Sequence, residues 1–391
     1  MSQQPISHSK DLQQLREDGY NIIIHTPGHL LVRDVPYVTP TKEVKRGTLV
    51  TTLHLAGDIT QPPDTHVATF IGELPCDRNG NPLPHLINTT RQQLVDGLTI
   101  DYTFSSKPPG GQYANYHEKM TTYVRILQNE AHAIDPNVSA KTYTVVTPPD
   151  DSVFEYEDTA SSRANIARIT QKLATHTIAI IGMGGTGSYI LDLIAKTPVR
   201  AIHLFDGDRF MQHNAFRSPG AASKDALQGA PEKATYFEAQ YARMHKHITA
   251  HPYYITSENL AELNVATFVF LCIDRNNARK QIIEHLTAAG IPFIDVGMGI
   301  PHHEESLGGI VRVTTGTAAR HEHIPSRVSL ADAEVENEYA HNIQVADLNA
   351  LNAALAVIKW KKLCGFYQDT KHEHHTTYTV RANMLLSEEC T

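Results

Sequence analysis

A chain of 391 residues exceeds what one hydrophobic core usually serves, so two domains are expected. Its 41% hydrophobic and 19% charged residues describe an ordinary soluble globular protein, and a formal net charge of -8 argues against a general binder of phosphate backbones, which needs a basic face. Nucleic acid is therefore not expected as a partner. No apolar run approaches bilayer length, and the N-terminal MSQQPISHSKDLQQL lacks the apolar core of a signal peptide. The expectation is a cytoplasmic location with no membrane partner.

From about residue 20 to residue 105, short alternating apolar stretches (NIIIH, HLLVRDV, TLVTTLHLAG, THVATFIGEL) are broken by turn residues such as Pro27-Gly28. They predict a mainly β, α+β domain over residues 1–150. Its clear helix lies in NYHEKMTTYVRILQNE, where Tyr116, Met120, Tyr123, Val124 and Leu127 recur on one face. TPPDDSVFEYED reads as a linker, and ASSRANIARITQKL as a helix through Ile166 and Ile169.

Over residues 158–391 the pattern becomes α/β. TIAIIG is a buried strand, GGTGSYILDLIAK an amphipathic helix opening on glycines, and AIHLFD a second buried strand, together a βαβ unit. TFVFLCID and IPFIDVGMG, with RNNARKQIIEHLTAAG as crossover helix, extend this into a Rossmann-like open sheet. GGIVRVTTG adds a strand, and IQVADLNALNAALAVIKWKKL closes the domain as a long helix.

Gly182, Gly184 and Gly187 in IGMGGTGS fit GxGxxG directly after a strand and before a helix. Residues without side chains let the backbone turn tightly and approach a phosphate, while the helix N-terminus offers unpaired N–H groups and a positive dipole end. Asp206, at the end of the next strand, is placed to accept hydrogen bonds from ribose hydroxyls. Alone, these features fit a nicotinamide (NAD) oxidoreductase equally well, or a scaffold whose nucleotide only stabilises the fold. A ligand-free strand-helix turn is the blandest reading of the glycines. Asp206 and Asp208 taken singly could be turn formers, and Lys233 one more exposed lysine.

Four segments separate these readings: GMGGTG with Gly184 and Gly185 doubled, DGDRFMQHNAFR after the second strand, Lys233 in GAPEKATYF, and CIDRNNAR after a later strand. In order and approximate spacing, from about residue 165 to 315, the sequence resembles the ThiF family, which includes ubiquitin-activating enzymes and bacterial adenylyltransferases for sulfur-carrier proteins. The resemblance implies adenylation, with ATP and Mg²⁺, of the C-terminal carboxylate of a ubiquitin-like protein. By it, Asp206 would hold the ribose, Arg217 and Lys233 would contact the triphosphate, Asp274 would hold Mg²⁺, and Asn214 would help to orient the nucleotide. Arg163 would reach the triphosphate of a partner subunit, making a homodimer necessary, or else it is a solvated arginine. Arg275 and Arg279 could support Asp274 or face solvent.

The sequence also departs from the family. Cys76, Cys272, Cys364 and Cys390 form no CxxC pair, so no structural zinc is expected, and residues 312–343, where a relay cysteine would usually stand, hold none. The acyl group would then stay as the adenylate until a conjugating-type enzyme takes it, or move to a hydroxyl such as Ser306, Ser326 or Ser329, or reach a remote cysteine. Cys272 is expected to be inert packing and Cys76 a surface-loop thiol. HHEE from 302, HEH from 321 and HEHH from 372 are read as solvated histidines, since no ligand spacing ties them to a defined geometry. The N-terminal domain resembles one found in bacterial ThiF-like proteins encoded beside ubiquitin-like proteins, which implies a bacterial conjugation pathway, plausibly antiphage, and a recognition role for residues 1–150.

Overall fold

A computed structural model describes residues 4–25, 28–89, 91–95, 97–148, 150–330 and 343–390; Pro27 and the crossover segment 331–342 lie outside it. The chain forms two compact units, one of Met1–Val146 with Asp158–Ile166, the other of Thr147–Glu157 with Ala167–Thr391.

The first unit is built on a six-stranded antiparallel sheet in the spatial order Asn21–His25, His29–Val38, Val44–Thr52, Val67–Ile71, Tyr102–Ser105, Leu86–Asn88. Period-two burial, as in Asn21–His25, sends alternate side chains into the core. The Tyr116–His132 helix starts where the Asn115 side chain accepts the Glu118 N–H at 2.9 Å, and it buries all five anticipated positions. The same face also buries Lys119, whose Nζ donates to Thr51 Oγ1 at 2.6 Å and to the Thr65 carbonyl at 2.8 Å. Burial pushes its pKa down to about 8.

The helix expected through Ile166 and Ile169 is instead two short pieces, Thr159–Arg163 and Ala167–Thr170. Asn165 between them takes a left-handed φ of 55°, which ends the first, and Ile169 is left exposed. The stretch anticipated as a linker is fastened down: Lys246 N–H donates to the Val153 carbonyl at 2.8 Å, and Phe154 packs edge-on against buried His245.

The second unit holds an eight-stranded sheet in the order Ile248–His251, Ala201–Phe205, Thr177–Ile181, Phe268–Leu271, Phe293–Gly299, Ile310–Gly316, His375–Thr379, Met384–Glu388. The first five strands are parallel and the last three join antiparallel. Thr177–Ile181 is buried at every position, as a central parallel strand must be. The Ala346–Leu363 helix packs on the sheet with Trp360 fully buried, but it does not close the domain: two further strands follow and continue the sheet.

Candidate nucleotide site

From Thr177–Ile181 the chain goes to Ala201–Phe205 on one side of the sheet and later to Phe268–Leu271 on the other. The loops leaving these carboxyl ends part in opposite directions, the place where open α/β sheets form a ligand crevice. A cavity of about 720 Å³ lies there, lined by residues of the second unit.

Gly182 makes the turn possible. It takes a φ of +91°, and a Cβ would stand 2.6 Å from the Cys272 carbonyl oxygen, so a side chain meets both backbone strain and a clash. Its N–H is held by the Phe205 carbonyl at 2.8 Å. Gly184 caps the Gly185–Ile194 helix, lines the cavity, and would point a Cβ at no chain atom within 4 Å. This leaves the helix N-terminus open to a ligand. Gly185 also lines the cavity, whereas Gly187 packs against the Gly182 carbonyl and serves the turn.

Asp206 is buried, accepting the Met183 N–H at 2.6 Å on one oxygen and the Asp208 N–H at 2.8 Å on the other. Burial raises its carboxyl above the usual carboxylate range, against the nearby Lys233 charge. The second lone pairs of those oxygens can still accept ribose hydroxyls. Lys233 is also buried; its Nζ donates to Asp208 Oδ2 at 2.7 Å and stands 3.9 Å from Asp206. At Asp208 burial works upward, but hydrogen bonds from Lys233 and the Tyr254 hydroxyl, with the Lys233 and Arg275 charges, hold the carboxyl below its ordinary value. Arg275 stacks over the Tyr254 ring, 4.9 Å from its centroid.

Arg217 lines the cavity half-buried, its Nε without a hydrogen-bond partner among the described residues. Burial lowers its pKa while the Asp274 charge raises it. Asp274 is exposed on the same cavity, after the Phe268–Leu271 strand. The structure therefore gathers Gly182, Gly184, Gly185, Asp206, Asp208, Arg217, Lys233 and Asp274 around one space. Asn214 is not on the lining; its Oδ1 accepts the Met211 N–H at 2.8 Å and starts the Gln212–Ala215 helix. Arg163 belongs to the first unit and pairs with Glu17 at 2.8 Å.

Of the two readings of Arg279, support of Asp274 is the one its burial favours, whereas Asp295, Tyr254 and Asn349 were not anticipated. Arg279 does not face solvent: it is buried, donating from Nε to Asp295 at 3.1 Å and from its terminal nitrogens to the Asn276 side chain and the Ile273 carbonyl. It thereby holds the backbone just before Asp274 and the Asn276 side chain just after it. Asp295, fully buried, also accepts Arg312 Nη2 at 2.6 Å. Tyr254 and Asn349 also line the cavity.

Among the described residues no group of three or more His, Cys, Asp or Glu side chains gathers as a metal site. The Cys76 thiol is buried rather than on a loop surface, and burial pushes its pKa up. Burial likewise raises the thiols of Cys272 and of Cys364, the latter to about 12, and Cys364 Sγ stands 3.3 Å from His176 Nε2. Ser326 and Ser329 are exposed beside the crossover segment.

Residues 158–325 match the ThiF family model, and residues 10–159 match a domain of unknown function, DUF6791. The chain thus carries a ThiF-like, Rossmann-type sheet, preceded by a mainly β domain. It is similar to the crystal structure of PaaA, at 17% identity over 57% of this chain and 75% of that one, with a TM-score of 0.46. It is similar to E. coli MccB with ATP, at 16% identity over 59% and 69% of the two chains, TM-score 0.45. Similarity to E. coli tRNA N6-threonylcarbamoyladenosine dehydratase, TcdA, is 19% identity over 53% and 92%, TM-score 0.41. No curated protein matches the chain.

Proposed function

We propose that the second unit binds ATP and adenylates the C-terminal carboxylate of a ubiquitin-like protein. The observation that carries this reading is Arg217, a half-buried guanidinium whose Nε has no partner among the described residues, held on one cavity with Asp274, Lys233 and the open glycine turn. An arginine and an acid lining one cavity beside a phosphate loop suit a triphosphate and its metal ion.

The chemistry needs little beyond this set. A carboxylate oxygen attacks the α-phosphorus of ATP, an O–P bond forms, the bond to the β-phosphate bridging oxygen breaks, and pyrophosphate leaves with that electron pair. Negative charge builds on phosphate oxygens, where Arg217 and Lys233 would stabilise it. Asp274 would hold a Mg²⁺ ion that supplies further neutralisation there. A peptide C-terminus is already ionised at neutral pH, so no general base is required and positioning supplies much of the rate. The glycine turn and Asp206 would orient the nucleotide, and Arg163 would act across a homodimer.

With no cysteine among residues 312–343, the adenylate itself is read as the species a conjugating-type enzyme attacks. The setting we infer is a bacterial conjugation pathway, in antiphage defence, with the first unit as the recognition module. Exchange of labelled pyrophosphate into ATP, dependent on Mg²⁺ and a ubiquitin-like partner, tests the reading. An oxidoreductase would bind nicotinamide instead, and a scaffold would bind nucleotide without exchange.

A further inference from the structure

The Ala346–Leu363 helix brings to the cavity two asparagines that the phosphate-side residues leave unused. Asn349 and Asn352 stand three residues apart, on one face of the helix, and each is 1% exposed. Asn349 uses its Oδ1 to accept the Thr186 hydroxyl at 2.9 Å, and its Nδ2 is left buried without a partner among the described residues. That amide lies over the glycine turn, where a Cβ at Gly185 would collide with it. Asn352 donates its Nδ2 to the Gly297 carbonyl at 3.0 Å, which leaves Oδ1 as a buried acceptor without a partner among the described residues. Gln344, just ahead of the helix on the same lining, adds a second such acceptor, Oε1.

The polarity of these atoms decides what they can receive. A carboxylate or phosphate oxygen satisfies Asn349 Nδ2, but no anion satisfies Asn352 Oδ1, because two lone-pair oxygens repel; it requires an N–H or O–H donor. The nucleoside is badly placed to supply one. Asp206 follows the Ala201–Phe205 strand, and Asn352 is tied to Gly297 in Phe293–Gly299, three positions along the sheet, roughly 14 Å at ordinary strand spacing. With the ribose at Asp206, the acceptor lies beyond the glycine turn, on the opposite side from the nucleoside.

We propose that Asn349 and Asn352 read the last peptide bond of the substrate. Asn352 accepts the N–H of the C-terminal residue while Asn349 donates to an oxygen of its carboxylate. In a peptide these two groups are separated by one Cα, so a donor and an acceptor one helical turn apart can grip both. The substrate class is then a peptidyl carboxylate, and a simple carboxylic acid without the amide is a poor fit. This rests on the adenylation reading above.

The test is pyrophosphate exchange into ATP by the full chain with Mg²⁺, on N-acetylated tetrapeptides ending in each residue except proline. Each is compared with its depsipeptide, in which an ester oxygen replaces the last amide N–H. The expected result is a KM about tenfold lower for the best peptide than for its ester at similar kcat, the size of one buried hydrogen bond. Asn352→Leu raises the peptide KM to the ester value and leaves the KM for ATP unchanged. Equal KM for peptide and ester in the wild-type chain overturns the inference and leaves adenylation standing. No exchange on any peptide or on a ubiquitin-like protein, with ATP bound normally, overturns both. Should Asn352→Leu fail to fold, the wild-type comparison decides alone.

Discussion

Asp295→Ala probes the clamp that holds the Asp274 loop. The carboxylate is fully buried and accepts Arg279 Nε at 3.1 Å on one oxygen and Arg312 Nη2 at 2.6 Å on the other. Unit charges about 4 Å apart attract by about 4 kcal/mol at an effective dielectric near 20, and desolvation offsets much of this while the cluster is intact. Removing the one acid strands two guanidinium groups that have already left water, and losing one partner of a buried pair costs about 3–5 kcal/mol. The second unit should lose that much stability. Arg279, released from Asp295, also loosens its hold on the Ile273 carbonyl and Asn276, so pyrophosphate exchange should fall further than the unfolded fraction explains. Trp360 is the one tryptophan in the sequence and packs fully buried beside Phe268 and Phe270, so its fluorescence in a urea titration follows this unit. A loss under about 1 kcal/mol, the range of an exposed ion pair, would refute the reasoning.

Arg217→Ala should lower exchange about a hundredfold if the guanidinium meets charge formed in the transition state, and an unchanged rate removes it from that role. Asp274→Ala should abolish exchange while leaving the Trp360 unfolding curve in place, because the side chain is exposed and fills no core volume. Gly182→Ala combines a φ of +91° with a clash on the Cys272 carbonyl and should destabilise by on the order of 1–3 kcal/mol; an unmoved urea midpoint would contradict the strained turn. His245 is buried with both ring nitrogens in use, Nε2 donating to the Val199 carbonyl at 2.9 Å and Nδ1 accepting the His247 N–H at 3.2 Å. Burial lowers its pKa below the ordinary 6.5, so the unfolded chain takes the proton first; its contribution is complete above that pH and shrinks as pH falls. His245→Gln should therefore flatten the loss of stability between pH 7 and 5, and parallel wild-type and variant curves would count against this.

What was legible in the sequence is what neighbours in sequence decide. Gly182 to Gly187, Asp206 and Asp274 each follow a buried strand directly, and the strand alone carries them to the sheet's carboxyl edge. Asp295 gave no such sign: its meaning depends on Arg279, from the preceding helix, and Arg312, from a neighbouring strand. Asn349 and Asn352 read as polar positions on a helix until the glycine turn packs against them. Lys119 fell at a buried position of a helix whose apolar face was read correctly, because its partners, Thr51 and Thr65, lie more than fifty residues away. The strands after residue 374 were missed because HTTYT carries threonine and histidine where a buried strand usually shows aliphatic residues.

The interleaving of the two units near residue 150 constrains how this protein can be cut. Residues 147–157 fold with the later unit and 158–166 with the earlier one, so the chain changes allegiance three times within about twenty residues. A fragment beginning at residue 158 would carry a helix away from its own unit and strip Phe154 from His245. Gene truncation or domain shuffling at the motif boundary would damage both halves; a separable enzyme half must keep 147–157 and dispense with, or replace, the segment that follows.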